Sequence, residues 1–363
     1  MLRSFVVVHS RRPALHPLAA LLLAAALHPQ PLEAQAAAPP RVRLVATGGT
    51  ISNRAGGRLT AQQLLESIPD LQRYVAPEAE QFANTASSAL TLEQWLQLSR
   101  RLNLLFRSDA GLAGLVVTSG TDTLEELAYF LDLTVRDARP VVVVGSMRNA
   151  SALGYEGAAN LLEAFRVAAE PASRGKGTLV VLNDEINAAR EVAKTDALRL
   201  HTFQSRGVGV LGVVDADRVI YYRDVVRRRG ADSEFDVDAI AALPRVDVLL
   251  VYQGASGDLI RAAVDAGAKG IVIAVAGAGA TSGTQDEGLE YALKKGCVVV
   301  MSTRTGGGRV AAGRRQAGAA APPPFSRLLA AEDLAPLKSR VLLMLALATT
   351  QDPAAIQRMF LEY

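Results

Sequence analysis

Apolar and polar positions follow two rhythms along this chain. Short apolar runs lie at 42–46, 114–118, 140–145 and 178–182, and runs of this length closed by turn residues predict buried strands. Helical spacing covers 92–106, 123–132 and 157–170, with Trp95 on the apolar side of the first stretch. Strands separated by helices predict a parallel sheet. Thr60-Ala61-Gln62-Gln63 reads as a capping box before a helix that runs to Ser67. Residues 207–225 alternate like β structure, and 227–238 are charged and contain glycine. Beyond them the rhythm resumes, with strands expected near 247–252, 270–275 and 297–301 and helices near 257–266 and 284–295. An apolar helix is expected at 336–350 and a last one at 353–361, while 306–324, rich in Ala, Gly, Arg and Pro, reads as a flexible loop. The fold class this predicts is α/β in two domains. A larger N-terminal domain with a mainly parallel sheet spans 37–226, a linker 227–245 and a smaller C-terminal domain 246–363.

Two apolar runs end alike. Val45-Ala46 leads into Thr47-Gly48-Gly49-Thr50-Ile51-Ser52, and Val116-Val117 leads into Thr118-Ser119-Gly120-Thr121-Asp122-Thr123. Glycine lets the backbone turn sharply and approach closely at a strand end, which is where ligands bind in open α/β sheets. A threonine held on such a turn, ringed by backbone N–H groups, has the parts for attack on a carbonyl. A Gly-Gly turn after a strand is also an ordinary turn signal. The repetition puts two hydroxyls and one carboxylate, Asp122, at one sheet edge. The third glycine of a dinucleotide fingerprint and the lysine of a phosphate loop are both missing.

Composition narrows the chemistry. Of 363 residues half are hydrophobic and 21% charged, as in ordinary globular proteins. The formal charge of +3 includes +2 from Arg3, Arg11, Arg12 and Glu33. With no basic patch and few aromatics, nucleic acid is not an expected partner. The early arginines precede an apolar run at 18–27 and a small-residue site, Ala34-Gln35-Ala36. Residues 1–36 therefore read as a secretory signal peptide with a run too short to span a bilayer. Ser10-Arg11-Arg12 has a twin-arginine look, from which Pro13 and Ala14 depart. The expected location is periplasmic or secreted, with no membrane segment in the mature form. Of four histidines, His9, His16 and His28 lie in this leader, so a histidine metal cluster is not expected. His201 is read as structural, and a lysine becomes the natural base. The lone Cys297, inside an apolar run, is read as a core residue.

Thr47-Gly48-Gly49-Thr50-Ile51 together with Gly120-Thr121-Asp122-Thr123 resembles the bacterial-type L-asparaginases, the threonine amidohydrolases. The resemblance continues through 128–135, Gly145-Ser146-Met147-Arg148, Leu182-Asn183-Asp184, Lys194-Thr195 and Arg340-Val341-Leu342-Leu343. It runs in order from about Arg41 to Tyr363. It implies hydrolysis of the side-chain amide of L-asparagine through an acyl-enzyme at Thr50, with L-glutamine as a second candidate. Thr121, Asp122 and Lys194 would form a second group, in which Lys194 takes up or relays a proton from Thr121. Gly49, Ser119 and Gly120 would lie by the scissile amide. Asp122 would bind the α-ammonium and Ser87 the α-carboxylate, with Ser88 beside it. The resemblance implies no metal or organic cofactor, and it implies a homodimer or homotetramer.

The chain departs from the family at several positions. The loop tyrosine that assists the first threonine has no counterpart in 53–58, a stretch that looks mobile. The acid that reaches in from a neighbouring subunit has none in 305–321. Ser88 replaces a glutamine, and Ser119 stands where many members carry histidine. Another phenol or the second group would then activate Thr50, and Tyr155, in a Gly-flanked segment, is the candidate phenol. The same losses raise two other readings, a hydrolase of another small amide and a non-catalytic amino-acid-binding protein. Retention of Thr50, Thr121, Asp122 and Lys194 argues against the latter.

Overall fold

The structure, a computed structural model, describes residues 2, 4–10, 38–311 and 327–363. The apolar run and cleavage site of the expected signal peptide lie outside the described residues, as does 312–324 of the expected flexible loop. Met1–Ala38 and Pro39–Tyr363 are separate units. In the first, the described residues carry no helix or strand. Among the described residues no helix is long and apolar enough to cross a membrane.

The N-terminal lobe runs β1 (Arg41–Gly48), β2 (Asn53–Arg54), β3 (Gly57–Arg58), α1 (Ala61–Glu66), β4 (Ala76–Thr85), α2 (Leu92–Ser108), β5 (Leu112–Thr118), α3 (Leu124–Thr134), β6 (Val141–Val144), α4 (Gly157–Ala169) and β7 (Thr178–Leu182). It continues through β8 (Glu185–Ala188), β9 (Ala193–Lys194), β10 (Phe203–Gln204), β11 (Gly212–Val214) and β12 (Val219–Tyr221). Eight strands form one sheet in the order β12-β11-β8-β7-β6-β5-β1-β4. The five from β7 to β4 are parallel, and β8, β11 and β12 extend the sheet antiparallel.

The central strands read as unbroken apolar runs because both faces are covered. Val141 and Val143 join the core under α2 and α3, whereas Val142 and Val144 join the core under α4, as the two-residue strand period requires. The capping box at Thr60 is formed with Gln63, and Thr91 and Gln94 form a second one at the start of α2.

The C-terminal lobe runs β13 (Val246–Leu250), α5 (Asp258–Asp265), β14 (Gly270–Val275), α6 (Gln285–Lys294), β15 (Val298–Thr303), β16 (Leu329–Ala330), α7 (Pro336–Thr349) and α8 (Pro353–Glu362). Its four strands are parallel in the order β13-β14-β15-β16. Cys297 is buried with α5 and α6 in this lobe's own core. On the other face, α7 packs against α3, so one hydrophobic cluster joins the lobes. The connecting stretch is anchored in that cluster by Phe235, Val237 and Ile240, and the Arg100 guanidinium holds the carbonyls of Val237 and Ile240.

The stretch 53–58, expected to be mobile, is a formed hairpin. β2 pairs with β3, and the segment after β6 grips it. Ala150 N–H donates to the Asn53 carbonyl (2.8 Å), and Ala55 N–H donates to Ser151 Oγ (2.7 Å). Backbone groups paired in this way resist opening.

Candidate active site

Four parallel strands, β6, β5, β1 and β4, are consecutive neighbours, so their carboxyl ends open on one side of the sheet. Thr47 ties β1 to β5 just before both turn. Its amide donates to Thr118 Oγ1 (3.1 Å) and its hydroxyl donates to the Thr118 carbonyl (2.6 Å).

Beyond that tie the turns touch backbone to backbone. Gly48 and Gly49 hold φ of +106° and +89°, a region that suits glycine alone. A Cβ on Gly49 would stand 2.3 Å from the Gly120 nitrogen, and one on Gly48 would stand 2.4 Å from the Thr85 nitrogen. A Cβ on Gly120 would meet Ser87 Oγ at 2.8 Å. Missing side chains thus let the turns after β1, β4 and β5 close on one another, and Thr50, Ser87 and Thr121 are gathered there.

Thr50 is half-buried and opens a single 3₁₀ turn, Thr50–Ser52. Lys194 arrives on the short β9. Its Nζ donates to Thr121 Oγ1 (3.0 Å) and to Asp122 Oδ1 (2.8 Å). The Lys194 side chain is only 15% exposed and the Asp122 side chain 76%, so the carboxylate can meet a solute while the ammonium is held behind it. An ammonium that donates to Thr121 Oγ1 leaves that hydroxyl's own proton free to be given elsewhere.

Ser87 is buried and Ser88 is exposed. Ser119 is fully buried, with its hydroxyl on the Gly120 carbonyl (3.2 Å), so in this structure its side chain points away from any solute. Two amides of the stretch expected by the scissile amide are already committed: Gly49 N–H donates to the Thr85 carbonyl (2.8 Å) and Ser119 N–H to the Val144 carbonyl (2.9 Å). Among the described hydrogen bonds, the amides of Thr50 and Thr121 have no protein acceptor.

Tyr155 is not aimed at Thr50 as an activating phenol would be. Its hydroxyl donates to the Ile51 carbonyl (2.9 Å), and burial, aided by Glu156, pushes it up to about 12. A phenol in that state is a donor, not a base. It braces the Thr50 turn from one side. His201 stands apart from these threonines, its Nδ1 3.3 Å from Asn183 Nδ2 beside the β7–β8 turn. Among the described residues no group of three His, Cys, Asp or Glu side chains gathers as a metal would need. The Thr47–Thr118 tie was legible only as two hydroxyls in matching places ahead of matching glycines.

A family model for "Asparaginase, N-terminal" matches residues 41–227, and one for "Glutaminase/Asparaginase C-terminal domain" matches 245–360. L-asparaginase 2 of Bacillus subtilis is 42% identical over 89% of this chain and 87% of its own length. A probable periplasmic L-asparaginase of Haemophilus influenzae is 36% identical over 91% of this chain and 95% of its own. The crystal structure of a probable cytoplasmic L-asparaginase from Campylobacter jejuni superposes with a TM-score of 0.82 at 38% identity, covering 89% of this chain and 99% of that one. Both domain models match in order and relatives align over most of their length, and the chain belongs to the asparaginase family of amidohydrolases.

Proposed function

We propose that this protein hydrolyses the side-chain amide of L-asparagine to L-aspartate and ammonia, with Thr50 as nucleophile. The observation that carries the reading is the meeting of Thr50 and Thr121 across touching glycine turns, with Lys194 bridging Thr121 and Asp122. Thr50 Oγ would attack the amide carbonyl and lose its proton, which the Thr121–Lys194 pair relays to the departing nitrogen. Ammonia leaves, and water then cleaves the Thr50 ester and returns the proton. The unpaired amides of Thr50 and Thr121 are the donors at hand for the oxyanion. Ser87 would hold the α-carboxylate and Asp122 the α-ammonium, while Gly49 and Gly120 shape the floor. With Tyr155 committed to a carbonyl, proton traffic from Thr50 falls to the second group.

Glutamine is the second candidate substrate, because one methylene carries only about 1–3 kcal/mol of discrimination. The matched C-terminal family model names both activities. Export rests on the leader sequence at 1–36, and the relatives include proteins named as periplasmic and as cytoplasmic. A homodimer or homotetramer, with no cofactor, completes the proposal.

The test is ammonia release from L-asparagine and L-glutamine by the purified protein beside Thr50→Ala. A loss of about 1,000-fold or more is expected in the variant. Activity that survives in Thr50→Ala would shift the nucleophile to Thr121. A folded protein that binds asparagine without releasing ammonia would instead be the non-catalytic binder.

A further inference from the structure

Lys194 sits on a strand of two residues, and β9 pairs only with the equally short β10 among the described residues. Thr195, on its far side, is tied to Thr202 through an amide and a hydroxyl. On the near side, the backbone at 190 and 192 is held by a charged side chain from α7. Lys338 is buried to 1% exposure. Its Nζ donates to the Arg190 carbonyl (2.9 Å) and to the Val192 carbonyl. Glu125 of α3 is also buried and carries the opposite charge.

Neither charge is there for packing. A buried ammonium carries a heavy desolvation penalty, and an apolar side chain of similar volume is often the more stable choice. Burial pushes Lys338 down to about 8, against the pull of Glu125, Glu191 and Asp132 and with the push of Arg190. Burial likewise raises Glu125, opposed by Lys338 and Lys194. Each charge offsets part of the other's burial, and Lys338 satisfies two backbone carbonyls within three residues.

We propose that Lys338, with Glu125 as its buried counter-charge, is a positioning residue that clamps 190–192 and so holds Lys194 Nζ within reach of Thr121 and Asp122. The clamp rests on the assignment of Lys194 to the reaction. It reaches across the molecule, since Lys338 comes from the C-terminal lobe and 190–192 from the N-terminal one. A displacement of about 1 Å at a reacting group can lower the rate by roughly 100-fold, so a small slip of β9 is enough to matter.

The experiment is steady-state kinetics on L-asparagine with thermal unfolding, on the full chain and on Lys338→Met, Lys338→Met/Glu125→Gln, Glu125→Gln and Lys194→Met. In Lys338→Met, kcat should fall by about 100-fold with KM little changed. The double variant should regain thermal stability, because no buried charge is left unpaired, yet stay slow. Glu125→Gln alone strands the Lys338 charge and should lower thermal stability, yet leave kcat far closer to the parent's than Lys338→Met does. If the double variant regains kcat along with stability, Lys338 only balances charge and the clamp is overturned. Unchanged kcat in Lys338→Met overturns it as well. Should Lys338→Met fail to fold, the double variant decides, and should both fail, a kcat in Glu125→Gln lowered by about 100-fold overturns the clamp, because charge balance alone would then account for the loss. Full activity in Lys194→Met would sink the assignment of Lys194 itself, a different failure from an inactive Lys194→Met beside an unaffected Lys338→Met.

Discussion

Both lobes end parallel strands in glycine-bearing turns, and the two sets differ in what stands against them. At the strand ends of the N-terminal lobe, a Cβ on Gly48, Gly49 or Gly120 would come within 2.8 Å of another turn. In the C-terminal lobe, Gly254 follows β13, Gly277 follows β14 and Gly308 follows β15, all at positive φ, and none has a described heavy atom within 4 Å of where its Cβ would be, although Gly283 ahead of α6 would meet the Ala255 backbone at 2.4 Å. The first set is glycine because backbones must touch. The second is glycine for the freedom of the turn alone. Proximity of this kind marks where two turns have closed on one another, and it sorts glycines that look alike in sequence.

The largest effect is expected at Gly49→Ala. The new methyl meets the Gly120 backbone at a position where φ is +89°, and neither atom set is a flexible side-chain end. Strain and overpacking together should lower stability by about 3 kcal/mol and part Thr50 from Thr121. Urea unfolding and ammonia release check the two halves of this expectation. Near-normal kcat in Gly49→Ala would mean that the touching turns are not needed for the chemistry.

How far the sequence announces this architecture depends on where the determining contact lies. The strands at 141–144 and 178–182 are legible because burial on both faces writes a continuous apolar run. The paired threonine turns are legible because chemistry and turn residue are adjacent. The hairpin at 53–58 is not, because its polar and glycine residues read as loose while its restraint comes from Ala150 and Ser151, about a hundred residues away. Ser119 reads as a side chain near the amide, but its hydroxyl turns onto the Gly120 carbonyl. Lys338 is hidden for a related reason: 336–350 reads as an apolar helix, and a single lysine in it is ordinarily taken as a solvent-facing residue. Gly49 and Gly277 are equally glycine in the sequence, and only the fold separates them.

A middle-sized effect is expected at Tyr155→Phe, which removes the brace on the Thr50 turn and keeps the ring. Loss of the bond to the Ile51 carbonyl should lower stability by about 1 kcal/mol. It should slow ammonia release by only a few-fold, because positioning is loosened and no proton acceptor is lost. A general base would carry about 100-fold or more, so a drop of that size would return Tyr155 to the role of activating phenol. Either result sharpens the contrast between the lobes, since it measures how much of the closed edge depends on a support outside the touching glycines.

The smallest effect is expected at Gly277→Ala, which measures a positive φ without a contact. Gly277 has φ of +58° with open space where a Cβ would sit, whereas Gly49 has φ of +89° with a backbone in the way. Both substitutions place an L side chain at positive φ, but Gly49, with ψ of −175°, lies in a region essentially reserved for glycine, where strain is about 1–3 kcal/mol. The difference between the two variants therefore holds that strain together with the overlap at Gly49. Urea midpoints should therefore put Gly277→Ala about 1 kcal/mol below the parent, with kcat on asparagine unchanged. Equal losses in the two variants would show that backbone conformation alone, and not the touching of the turns, makes glycine necessary at the sheet edge that carries Thr50.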